Sequence, residues 1–321
     1  MSSALAAALP RLTDEMHRIN RLLAAGHKSD AIEQFYQLAS EAIHTQRDDI
    51  SCKGFVIPGR TTEISVLRIP AEPRPDKPIA LFLPGLLSAL PLAAVRALAF
   101  IDLFDIVLFE IPGHGASGEV SDVSLAAFAN EFSAVIGAAL PRASGLFVIG
   151  ESLGGLVALT LARLRPDQIR NVILIDTPFH LTRPELAAWI SSAWHTTGRR
   201  PYVRRICREI MGFDPDDGRV ERTTLHHDLV QNISCLHLTG GVQAFSGIPS
   251  VVTESDITLL RAANPKILIP PRIPETGHAV LLDNPNAARA ALHSFLLPRP
   301  LRALAAKQTR AGGRGGQQYA L

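Results

Sequence analysis

LFVIGESLGGLVALTLA, residues 146–162, is the stretch from which the rest of the chain can be read. Leu146–Ile149 is an apolar, strand-forming run. It passes directly into Gly150-Glu151-Ser152-Leu153-Gly154-Gly155, and a helix-forming run follows. A serine set between a strand and a helix sits on a sharp turn, so its neighbours must be small. Gly150, Gly154 and Gly155 meet that need. The helix that starts there aims its N-terminal dipole and its free N–H groups at the space beside the serine. G-x-S-x-G in this strand–turn–helix setting is a nucleophile elbow, with Ser152 as the candidate nucleophile.

Other apolar runs repeat the pattern: IALFL at 79–83, IVLF at 106–109 and VILI at 172–175. Continuous runs of this kind suit central strands of a parallel sheet, which are covered on both faces. Strands are predicted at 50–57, 62–69, 79–83, 106–110, 146–149, 172–176, 233–238 and 266–270. Helices are predicted between them, at 89–100, 124–140, 153–165, 254–263 and 286–297. This alternation predicts a doubly wound, mostly parallel α/β sheet.

Three segments stand apart. Residues 1–48 read as a helical hairpin, with Thr13 and Ser29 as N-caps and Gly26 as the stop between them. It is similar to a single tetratricopeptide unit, and serves either as a packing appendage or as a docking element. Residues 180–231 read as a helical insertion, too long for an ordinary connection and therefore a lid. Residues 299–321 form a Gly-rich tail with five basic residues and no acid, expected to be disordered.

Composition narrows the function. The 321 residues are 47% hydrophobic and 19% charged, enough apolar material for a large core. Lys+Arg 32 against Asp+Glu 30, with 6% aromatics, gives no footprint for nucleic acid. Cys52, Cys207 and Cys235 are too widely spaced for a disulfide framework or a zinc site, which points to a reducing compartment. The early Ala/Leu run lacks a basic region before it, and there is no run of about 18 apolar residues for a membrane span. A cytoplasmic location is the expectation. No phosphate loop or dinucleotide fingerprint is present, so no cofactor is expected. His226, His227 and Asp228 lie together, but no spaced ligand set completes a metal site.

Three further loops carry chemistry. Pro84-Gly85-Leu86 ends the run at 79–83, where a backbone N–H can face a developing oxyanion. Pro112-Gly113-His114-Gly115-Ala116-Ser117 ends the run at 106–110, and its glycines let the loop pass close to the site. His114 is read as structural. Glu275-Thr276-Gly277-His278 follows the last strand, where a histidine can reach the edge of the sheet that carries Ser152.

Together these pieces resemble the α/β-hydrolase superfamily over roughly residues 50–298, giving a domain at 49–298 that contains the lid. The resemblance implies a Ser–His–acid triad, an oxyanion hole and a lid after the sixth strand. It carries over Ser152, His278 and the N–H groups of Leu86 and Leu153. Two positions depart from it. Pro84-Gly85 stands where relatives have His-Gly, and Gln243 stands where relatives have the triad aspartate. An amide cannot stabilise an imidazolium as a carboxylate does. Asp176 at the end of the sixth strand is the tentative acid; Asp256, Glu254 or no acid remain alternatives.

The expected activity is that of a serine hydrolase, cleaving a small or medium carboxylic ester or thioester through an acyl-enzyme on Ser152. An acyltransferase using the same intermediate, or a non-catalytic hydrolase-like binding protein, are the rivals. Arg199, Arg200, Arg204, Arg205 and Arg208 form either a solvated face or a site for an acidic group or carrier.

Overall fold

A computed structural model describes residues 3–141, 143–180, 190, 201–217, 219–220, 233–241 and 248–296. Gln243, Arg199, Arg200, the His226–Asp228 cluster and the tail at 299–321 lie outside the described residues, as does much of the 180–231 insertion.

The strands are β1 (Lys53–Pro58), β2 (Glu63–Ile69), β3 (Ile79–Leu83), β4 (Asp105–Phe109), β5 (Leu146–Glu151), β6 (Ile169–Ile175), β7 (Ser234–Leu238) and β8 (Ile267–Leu268). They form one eight-stranded sheet in the order β1-β2-β4-β3-β5-β6-β7-β8. β1 pairs antiparallel with β2, and β2 antiparallel with β4. Every other pair is parallel. The mostly parallel sheet expected from the sequence is therefore present, with β5 and its serine near the middle.

The central strands are apolar throughout because successive side chains enter two different cores. Leu81, Leu83, Val148, Val172 and Leu174 pack with Phe128, Phe132, Leu156 and Leu161 from α4 (Leu125–Ala139) and α5 (Leu153–Leu164). Ala80, Phe82, Ile149 and Ile173 pack on the other face with Ala93, Ala94 and Ala97 of α3 (Leu90–Ala97). Leu292 and Phe295, from the C-terminal helix Pro285–Leu296, complete that side.

The N-terminal hairpin consists of α1 (Ser3–Ala24) and α2 (Lys28–Gln46). Its caps differ from expectation. Thr13 and Ser29 lie inside the helices, and the N-cap of α2 is His27, which makes no side-chain capping bond. Gly26, at φ +87°, does end α1, with the His27 N–H bonded back to Leu22 O at 3.0 Å. Leu12, Ile19, Phe35 and Leu38 seat the hairpin on Val95 of α3 and on Ala116. The Tyr36 hydroxyl bonds Phe55 O at 2.5 Å, fastening α2 to β1.

Within the insertion, the helix Pro201–Glu209 buries Tyr202, Val203, Ile206 and Cys207 against the α4–α5 side of the core. The Tyr202 hydroxyl accepts the Val120 N–H at 3.1 Å. Among the described residues, no helix is long and apolar enough to cross a membrane.

Candidate active site

The elbow follows from close packing around α5. Ser152 has φ +50° and ψ −116°, a conformation an L-residue adopts only when its surroundings impose it. Its N–H donates to Ile175 O at 3.0 Å, holding the turn against the end of β6. A Cβ on Gly150 would lie 2.5 Å from Gly154 O, and one on Gly154 would lie 2.1 Å from Leu83 O. The helix therefore approaches β3 and β5 closely only because both positions are glycine.

Asp176 is the next residue after β6, at φ +42°, and its carboxylate is fully buried. Four donors surround it. Oδ1 accepts the Gly240 N–H at 2.9 Å and the Ser250 hydroxyl at 2.6 Å. Oδ2 accepts the Val251 N–H at 3.0 Å and pairs with His278 Nδ1 at 2.8 Å. Burial pushes the carboxyl up, but the bond and charge of His278, with Ser250 and Gly240, outweigh it and hold Asp176 below the usual carboxylate range. His278 is brought there by the loop after β8. Its N–H bonds Ile248 O at 2.9 Å, and a Cβ on Gly240 would meet Gly277 O at 2.1 Å.

The other candidate acids lie elsewhere. Asp256 sits in a capping box with Thr253 at the start of the helix Glu254–Ala263, and its Oδ1 pairs with His180 Nδ1 at 2.8 Å. Glu254 is exposed and bonds Arg272 at 3.0 Å. Asp176 is thus the carboxylate that meets His278. Among the described residues no hydrogen bond joins Ser152 to His278.

Leu153 follows Ser152 in the chain, and Leu86 follows Gly85. Leu153 opens α5, and a Cβ on Gly85 would lie 3.3 Å from Ser152 Cβ, so the Pro84–Leu86 loop runs against the serine. Neither the Leu86 nor the Leu153 N–H has an acceptor among the described residues. The Leu87 N–H is taken by His114 Nε2 at 3.1 Å, and His114 is buried in its loop.

Several residues around the site escape sequence reading. Ser250, whose hydroxyl ligates Asp176 beside the Gly240 N–H, lies in no motif of the sequence. Arg96 forms a buried ion pair with Glu151, next to the serine, at 2.9 Å. The only sequence signal for that pair is two charges within otherwise apolar segments. His237 in β7 is fully buried, accepts the Thr177 N–H at 3.2 Å, and is pushed down to about 4, chiefly by burial. Of the insertion's arginines, Arg204 pairs with Asp214 at 2.8 Å and Arg205 with Glu209 at 2.9 Å, so this face is of mixed charge.

A family model described as alpha/beta hydrolase fold matches residues 79–196. No curated protein matches the chain in sequence. Among solved structures, a carboxylesterase from Bacillus subtilis is similar with a TM-score of 0.57 at 16% identity, covering 83% of this chain and 98% of its own. The N-formylmaleamic acid deformylase of Pseudomonas putida S16 is similar with a TM-score of 0.56 at 19% identity, covering 75% and 100%. Naproxen esterase from Bacillus subtilis gives 0.56 at 15% identity, covering 82% and 97%. At such identities the likeness is one of fold, and at that level the resemblance read from the sequence is borne out.

Proposed function

We propose that this chain, whose fold is that of the α/β hydrolases, is a serine hydrolase acting on a carboxylic ester or thioester through an acyl-enzyme on Ser152. The observation that carries the reading is the 2.8 Å contact of Asp176 Oδ2 with His278 Nδ1 at the sheet edge where Ser152 stands on its elbow. With Nδ1–H directed at a carboxylate, the neutral imidazole keeps its lone pair on Nε2, as a general base requires.

In the proposed cycle, Ser152 Oγ attacks the acyl carbonyl carbon while His278 Nε2 takes its proton. The carbonyl oxygen becomes an oxyanion, held by the N–H groups of Leu86 and Leu153. Each such bond contributes about 3 kcal/mol in comparable sites. As the intermediate collapses, His278 returns the proton to the departing alcohol or thiol. Water, deprotonated by the same nitrogen, then releases the acid and restores Ser152. Asp176 stabilises the imidazolium formed in both halves without taking the proton. The esterase and deformylase relatives support a hydrolytic reading. The test is a series of p-nitrophenyl esters of increasing acyl length, with Ser152→Ala alongside. Turnover in the wild type, lost by several orders of magnitude in the variant, is expected. Equal turnover in both would overturn the assignment.

A further inference from the structure

Behind the proposed oxyanion loop lies a buried polar bridge that the proposed cycle does not use. The loop carries the Leu86 N–H, and the next residue, Leu87, has φ +61°. A branched, non-glycine side chain in the left-handed region is unfavourable, and persists only where neighbours hold it. Two holds are present. On one side His114 Nε2 takes the Leu87 N–H at 3.1 Å. On the other, the guanidinium of Arg96, from α3, donates through Nη2 to Ser88 Oγ. The same guanidinium donates through Nε to Glu151 Oε2 at 2.9 Å, and Glu151 immediately precedes Ser152. One planar, rigid group therefore joins the end of the oxyanion loop to the residue beside the nucleophile.

The location makes this more than surface decoration. Ser88, Arg96 and Glu151 are 7%, 8% and 8% exposed. Two buried charges are expensive to desolvate, and an apolar pair of similar size often packs more cheaply. The bridge spans two backbone segments whose spacing decides whether the Leu86 N–H meets an oxyanion formed on Ser152. Misplacement by about 1 Å in such a site can cost about a hundredfold in rate.

We propose that Ser88, Arg96 and Glu151 are positioning residues that fix the oxyanion loop relative to the nucleophile. The inference rests on the reading of Ser152 as nucleophile. It is tested in the full chain with p-nitrophenyl acetate, with the rate of fluorophosphonate labelling at Ser152 and with the unfolding midpoint. Ser88→Ala removes the hydroxyl and leaves the ion pair intact. It is expected to lower kcat about tenfold with KM within about twofold, and Ser88→Thr to restore kcat. Arg96→Met combined with Glu151→Met removes both charges together, leaves none unpaired, and is expected to lower kcat about a hundredfold in a protein that still unfolds cooperatively. A kcat within twofold of wild type in both variants, or a change carried by KM alone, overturns the bridge. Absence of labelling at Ser152 in the wild type overturns the nucleophile reading instead, and the two failures are thereby told apart.

Discussion

Asp176 illustrates how one residue's surroundings set its chemistry. Its carboxylate is fully buried, yet four donors hold it charged. In the proposed cycle Asp176→Asn should therefore lower kcat by about 10⁴, as losing the carboxylate of a Ser–His–Asp triad does. Asp256→Asn should leave kcat within about tenfold and cost about 1–3 kcal/mol of stability, because Asp256 is buried, serves a capping box and pairs with His180. Steady-state kinetics beside urea denaturation separates the two, and the reverse ranking would move the acid to Asp256. The candidacy of Asp176 is legible in the sequence because VILID ends a buried strand beside the serine's own. Its rivals are not separable from it in the sequence, since His278 is over a hundred residues away along the chain and only the folded loops bring the two together. Ser250, which completes the carboxylate's shell, has no local signature at all.

At the scale of elements, glycines set the distances on which the site depends. Gly154→Ala would drive a Cβ to 2.1 Å from Leu83 O, a backbone atom that cannot turn aside. Overpacking of this kind should cost about 3 kcal/mol in chemical denaturation and displace the elbow, slowing fluorophosphonate labelling with it. Gly240→Ala meets Gly277 O at the same 2.1 Å and should push the His278 loop off Asp176. Its loss of kcat should exceed what its shift in unfolding midpoint explains; unchanged kcat would contradict that placement of the loop. The strand–helix alternation is readable because a short run that is apolar at every position must be covered on both faces, as a central strand of a parallel sheet is. The helix starts of the hairpin are not readable in the same way. Thr13 and Ser29 carry the side chains of caps but lie within α1 and α2, which are packed through Leu12, Ile19, Phe35 and Leu38. Tertiary burial outweighs a capping bond of about 1 kcal/mol.

For the molecule as a whole, pH offers a probe of folding apart from catalysis. His237 is held neutral by burial, with a folded value of about 4 against an ordinary 6.5. The unfolded chain therefore binds a proton there that the folded chain refuses. The stability contributed is complete above pH 6.5 and is lost progressively as pH falls toward 4, by up to about 3 kcal/mol. Asp176, lowered from an ordinary carboxylate value, gives up its contribution only at more acidic pH. His237→Leu should flatten the dependence of the unfolding free energy between pH 6.5 and 4, and an unaltered slope would contradict the burial argument. Ser152, as the proposed nucleophile, is open to covalent labelling. The purified full chain is treated with a fluorophosphonate and the modified peptide is identified by mass spectrometry, with Ser152→Ala in parallel. One adduct on the peptide carrying Ser152, absent from the variant, is the expected result. A wild-type protein that stays unlabelled, or an adduct on another serine that persists in Ser152→Ala, would contradict it.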